Sequence, residues 1–393
     1  MSSFVLKGGK FVLPGAVMDG GYLPIVDGAF GQWSAEQPAD IDEVVDVTGK
    51  WVAPGLVDTH IHGFANHATT DNDPDGIDVS SAELARHGTT SWLPTTFTQA
   101  ADDLGRSCKA IADAAAERGP KFVGARIQGI YLEGPFFTTK HVGAQNPKFL
   151  IDPSVDVFHE WQEQADGRIV KSALAAEKPG ACEYIAALDA EGVVTAIGHS
   201  DATYDESLAA VNAGATVFVH TYNGQRGLHH REPGVVGCAM ATPDTYAEII
   251  CDGKHVKPAA IRALVNAKGW QHVVLITDCL GCGGLPEGNY MSGGLPVVLE
   301  NNLCYLRNED GTKGSIAGSV LTLARGVKNM VDWEVVTADQ AIRMATEIPA
   351  RSARVDARCG FIKPGRDADF VVFDPELNLK ETYVGGTSVG SAE

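Results

Sequence analysis

The residues best suited to chemistry begin at Asp58-Thr59-His60-Ile61-His62-Gly63, directly after the apolar run Val52 to Val57. On an extended strand, side chains two apart face the same way, so His60 and His62 project together and can share one metal ion. Taken alone, the pair reads equally as two partly buried histidines near a turn. Four more segments end an apolar run in a metal-ligating or proton-transferring side chain: Ile130 to Glu133, Val194 to His199, Thr216 to His220 and Leu275 to Asp278. Each has an ordinary structural alternative. Glu133 can serve a helix cap, His199 and His220 can be hydrogen-bonded core residues, and Asp278 can form a turn. One glutamate, four histidines and one aspartate, all at strand ends, make a common site.

Those strand ends need a scaffold. Short β-branched runs alternate with alanine-rich helical stretches. Gly192 to Ile197 precedes a helix over Asp205 to Ala213, and a helix over Lys257 to Ala267 precedes the strand Val273 to Thr277. Strands alternating with helices imply parallel βα units, and enough of them fit between residues 53 and 350 to close a (β/α)8, TIM-like barrel of the α/β class. The first fifty residues instead read as short strands, Phe4-Leu6, Lys10-Leu13 and Tyr22-Val26, and Asp369 to Asp374 has the same texture. The expected organisation is therefore a barrel over 54–350, with 1–53 and 351–393 joined in a small discontinuous β-sandwich domain. Residues Gly385 to Glu393 read as a loose tail.

Bulk properties narrow the partners. The 393 residues are 44% hydrophobic and 21% charged, the balance of an ordinary globular protein. A net charge of −19 argues against nucleic acid or an anionic membrane surface as partner. It leaves room for a small anion, because Arg226-Gly227-Leu228-His229-His230-Arg231 forms a basic cluster suited to clamping one. The N-terminus lacks the apolar core of a signal peptide, and no apolar run approaches a membrane span. With eight scattered cysteines, the expected compartment is the cytoplasm with free thiols. Cys279-x-x-Cys282 invites a redox or metal reading but has no partner motif.

Over nearly its whole length the chain resembles the amidohydrolase superfamily, and within it the sugar-phosphate deacetylase branch. Pro54 to Gly63 is similar to the superfamily's first-strand signature. Leu132-Glu133-Gly134-Pro135-Phe136 and Leu228-His229-His230-Arg231-Glu232-Pro233-Gly234 are similar to deacetylase motifs. Asp252 to Val256, Thr277-Asp278, Ser315 to Ser319 and Gly365 to Phe370 follow in the family's order.

The resemblance implies that Glu133, His199 and His220 hold a main metal. His60 and His62, a pair some members lack, would help hold a second one bridged by Glu133. Zinc or iron, one or two ions per subunit, suits such a shell. Glu133 supplies the bridging carboxylate, so no carboxylated lysine is needed and Lys171 reads as structural. The implied reaction is hydrolysis of the acetamide of an N-acetyl-hexosamine 6-phosphate, with Asp278 as metal ligand and proton acceptor. Ala144, Gln145, Asn223, Gly224, His255, Ile316, Ala317 and Gly318 would contact substrate. Arg231 would reach the phosphate in a neighbouring subunit's site, implying a homodimer.

The chain also departs from the family. Gln145 stands where a histidine is usual, Asn223-Gly224-Gln225 replaces Asn-Ala-Met, and Cys279-Leu280-Gly281-Cys282 replaces an alanine-rich run. Two alternatives therefore stay open. One is an amidohydrolase of another acetylated or sulfated amino sugar, or a deaminase or cyclic-amide hydrolase. The other is a non-catalytic barrel, which would be expected to have lost ligands.

Overall fold

The structure, a computed structural model, describes residues 3–118, 122–308 and 310–392. Eight parallel strands form the barrel: β1 Leu56–Ile61, β2 Thr89–Thr96, β3 Ile130–Phe136, β4 Ile169–Leu174, β5 Val194–Ile197, β6 Val217–Phe218, β7 Tyr246–Ile250 and β8 Val273–Ile276. Each pairs in parallel with the next, in chain order. The ring closes between β8 and β1 at its upper rim. There Asp278 N donates to His60 O at 2.9 Å and His62 N to Cys279 O at 2.8 Å.

Every barrel strand is followed by a helix, from Pro74–Arg86 after β1 to Leu323–Asp332 after β8. Local signals start these helices. Proline sits in the first turn of Pro74–Arg86 and Pro258–Lys268, and Thr203 with Glu206 forms a reciprocal capping box at Tyr204–Ala213. The helices of the first half pack on the barrel through a core containing Trp92, Phe136, Phe158, Trp161 and Tyr184. Another cluster takes side chains from each of the first six strands, among them Val57, Leu93, Tyr131, Ala173, Ala196 and Val217.

Both chain ends share one sheet. Trp51–Pro54 pairs in parallel with Lys10–Leu13 on one side and antiparallel with Phe370–Phe373 on the other. That six-stranded sheet meets a four-stranded one, which contains Phe4–Lys7 and Tyr22–Val26, over a core of Phe4, Leu6, Phe11, Ile25, Phe370 and Tyr383. The expected loose tail is corrected here. Thr387–Gly390 is a strand, because Gly385 and Gly386 at φ 53° and 72° turn the chain back onto Leu379–Val384. A second departure lies between β8 and its helix. A four-stranded antiparallel sheet, Gly288–Ser292, Leu295–Glu300, Leu303–Arg307 and Lys313–Gly318, is inserted there and carries Ile316 to Gly318.

Candidate active site

His199, His220 and Asp278 each lie two residues beyond the last residue of β5, β6 and β8. All three have left-handed backbone, at φ 45°, 25° and 49°. Such a conformation costs a non-glycine residue about 1–3 kcal/mol and persists where the surroundings impose it. Here it ends the strand and turns the side chain over the barrel mouth. Glu133 lies within β3, His60 within β1, and His62 just past it, all buried.

The four imidazoles share one orientation. Their Nδ1 atoms face Glu248 Oε2 at 3.0 Å, Thr95 O at 3.1 Å, His141 O at 2.8 Å and Asn223 O at 3.1 Å, for His60, His62, His199 and His220 respectively. Carbonyls and carboxylates only accept, so each Nδ1 carries the hydrogen and each Nε2 turns a lone pair to the centre.

There the Nε2 atoms meet carboxylate oxygens. Glu133 Oε1 lies 3.0 Å from His220, 3.1 Å from His199 and 3.4 Å from His60. Glu133 Oε2 lies 3.2 Å from His62, and Asp278 Oδ1 is 3.2 Å from His62 and 3.5 Å from His60. Lone pairs so opposed repel unless a cation or protons sit among them. Glu133 with His199 and His220, His60 with His62 and Glu133, and His60 with His220 and Asp278 each form a group able to hold a metal ion. The His60 Nε2 atom, buried and without a hydrogen-bond partner among the described residues, fits that use.

The electrostatics agree. Burial disfavours charge on the His60 ring, yet Glu133 and Asp278 outweigh it and raise its pKa to about 10. Burial likewise opposes ionisation of Glu133, but His60, His199 and His220 hold its carboxyl well below the usual range. Asp278 is lowered against its own burial by His60 and His62. The protons so attracted are stand-ins for a metal cation.

Above the cluster opens a cavity of about 260 Å3 lined by Glu133, His199, His220 and Asp278. Ala144, Gln145, Asn223, Gly224, His255, Ile316, Ala317 and Gly318 line the same cavity. His255 is fixed by Asp252, Nδ1 to Oδ2 at 2.6 Å, and its Nε2 is buried with no partner among the described residues. Gly224, at φ 57°, passes so close to His199 that a Cβ would stand 3.0 Å from that ring's Nδ1.

Arg231 is exposed and does not line the cavity of its own chain, which is compatible with its expected reach toward a partner's site. Arg226, from the same basic cluster, is committed to Asp201, with Nη2 to Oδ2 at 2.8 Å. Gln225 braces its own loop, donating to Val219 O at 2.6 Å and accepting from Tyr222 N at 3.4 Å. Cys282 does not pair with Cys279. Its Sγ lies 2.8 Å from that of Cys304 on the inserted sheet, which removes the basis for a C-x-x-C centre. Lys171 is buried in β4 and paired with Glu248 of β7, a residue the motif reading passed over. The available signal was a lone acid within Tyr246-Ala247-Glu248-Ile249-Ile250, since a charge inside an apolar strand requires a partner.

With this geometry in place, the class is settled by comparison. The model of the amidohydrolase family matches residues 51–389, and the chain belongs to that family. It is 38% identical over 339 residues to the N-acetylglucosamine-6-phosphate deacetylase of Vibrio furnissii, covering 86% of this chain and 83% of that one. It is 35% identical to the N-acetylgalactosamine-6-phosphate deacetylase of Escherichia coli O157:H7, over 97% of this chain and 98% of that one. A solved structure of a Mycobacterium smegmatis N-acetyl-D-glucosamine-6-phosphate deacetylase variant, in complex with N-acetyl-D-glucosamine-6-phosphate, superposes with a TM-score of 0.91. It has 29% identity and 100% coverage of both chains.

Proposed function

We propose that this chain hydrolyses the acetamide of N-acetylglucosamine 6-phosphate, releasing acetate and glucosamine 6-phosphate. One observation carries the reading: four imidazole Nε2 atoms converge on Glu133 while Asp278 faces the same cavity. The names of the relatives supply the substrate class.

Glu133, His199 and His220 are the proposed ligands of a main ion, and His60, His62 and Asp278 of a second that shares Glu133. Zinc or iron suits these donors. When bound, a divalent cation supplies Lewis acidity and makes water nucleophilic at neutral pH. Asp278 accepts the proton of the attacking water and hands it to the departing amine as the C–N bond breaks. His255, held by Asp252, turns its Nε2 to the sugar, accepting from a hydroxyl as the neutral ring or donating to a phosphate oxygen as the imidazolium, and the 316–318 segment covers the hexose.

The chemistry belongs to residues 54–350, with 1–53 and 351–393 as an accessory β unit. We place the protein in the cytoplasm, in keeping with eight free thiols. We also read it as a homodimer in which Arg231, exposed and outside its own cavity, serves the partner's site. No helix among the described residues is long and apolar enough to cross a membrane.

The test is acetate release by metal-reconstituted protein from the 6-phosphates of N-acetylglucosamine and N-acetylgalactosamine. The second substrate is included because a relative named N-acetylgalactosamine-6-phosphate deacetylase matches almost the full length of this chain. Turnover of neither phosphate, with turnover of a non-phosphorylated amide, would overturn the reading.

A further inference from the structure

Beneath the cluster, inside the barrel, lies a charged pair that the proposed reaction does not use. Lys171 on β4 and Glu248 on β7 are both buried, with side chains 1% and 0% exposed, and form an ion pair. Lys171 Nζ also lies 4.0 Å from the centroid of the Tyr131 ring. Removing two charges from water costs about as much as their attraction returns, so the pair adds little to stability. Its placement points to another role. Glu248 Oε2 accepts from His60 Nδ1 at 3.0 Å and from the backbone N–H of His220 at 3.3 Å. The other three rings rest on backbone carbonyls. Among the described residues, His60 alone of the four has a side-chain carboxylate behind it.

We infer that Glu248, neutralised by Lys171, is a positioning residue that orients His60 and decides whether the metal position on the His60–His62 side fills. This rests on the metal reading proposed above. A carboxylate behind an imidazole fixes its tautomer and makes the facing nitrogen a stronger donor. Tyr131 holds the same ring from the side, edge-on at 5.0 Å between centroids. Lys171 cancels the charge that Glu248 would otherwise add next to Glu133 and Asp278. Glu248 thus acts through direction and donor strength. His199 and His220 keep their own carbonyl anchors, so the effect falls on one metal position.

The experiment titrates Zn2+ into metal-free protein by calorimetry for the wild type, Glu248→Gln, and the double variant Lys171→Met/Glu248→Leu. Melting curves check the fold. The double variant removes both buried charges together and decides the matter where the single variant does not fold. The expected result is an unchanged first Kd and a second Kd weakened about 10–100-fold, the usual consequence of losing such a partner. A folded variant that keeps both affinities overturns the inference, and so does one that loses both equally, which marks a structural defect. A wild type that stops at one ion overturns it while leaving a one-metal hydrolase standing. A wild type that takes up none overturns the metal reading as well.

Discussion

The side-chain amide of Gln145 is strung between the Thr98 backbone and the cluster able to hold a metal: Nε2 donates to Glu133 Oε2 at 2.6 Å, and Oε1 accepts from Thr98 N at 2.7 Å. Gln145 therefore orients the carboxylate at the centre of the cluster, a task different from polarising a substrate carbonyl. Gln145→Ala leaves that oxygen free to rotate. The expected outcome is metal affinity weakened about tenfold or more, read by calorimetry. Gln145→His keeps a donor, and its turnover should stay within about tenfold of wild type, or ~1.4 kcal/mol. A hundredfold gain on N-acetylglucosamine 6-phosphate in the histidine variant would show that Gln145 belongs to recognition of another sugar.

Asp278→Asn preserves the shape and a ligating oxygen but removes the proton acceptor. Turnover should fall by at least ~10³-fold with metal content close to wild type. Near-normal turnover would remove Asp278 from its assigned role.

Metal uptake should depend on pH with a definite sign. The His60 pKa is raised from 6.5 to about 10, chiefly by Glu133 and Asp278 against the opposing effect of burial. Below that value the ring holds a proton that an incoming cation must expel, and above it no proton is there to lose. Apparent affinity for Zn2+ should therefore climb with pH through the neutral range, by up to about tenfold per unit for each proton displaced, and level off near 10. Calorimetry at pH 7.5 in two buffers of different ionisation enthalpy counts those protons; a count of zero contradicts the assignment.

Arg231→Ala should mainly impair phosphorylated substrates, with a loss of about 1.5–3 kcal/mol for a charge-assisted contact. A mixed dimer of Arg231→Ala with Asp278→Asn should regain activity, because one of its two sites combines an intact Asp278 with the partner's intact Arg231. If no activity returns, Arg231 acts within its own chain.

The candidate site was legible because chemistry at a barrel mouth leaves a local trace. An apolar run stops at a charged or imidazole side chain, as at Ile197 before His199 and Ile276 before Asp278. What stayed hidden depends on contacts between distant segments. Glu248 and Lys171 are 77 positions apart and become a pair only when β4 and β7 close around the barrel. Cys282 finds Cys304 only through the inserted sheet, so sequence spacing pointed to the wrong neighbour. That sheet was readable in part, since Leu295–Glu300 and Leu303–Arg307 are β-prone runs joined by Asn301-Asn302, residues that accept the left-handed turn found there. The reversal at Gly385-Gly386 was a signal of the same kind, a glycine pair between short strands.

The sheet shared by the two chain ends has a consequence for how the molecule is made. Trp51–Pro54 has Lys10–Leu13 beside it from the start, but its other neighbour, Phe370–Phe373, is near the far end of the chain. At ribosomal speeds of about 5–20 residues per second, that strand is synthesised on the order of tens of seconds later. Throughout that interval the nascent chain presents an unpaired apolar edge next to β1, the strand that carries His60. A chaperone that shields this edge, or slow release from the ribosome, should raise the yield of native protein more than any help given to the barrel helices.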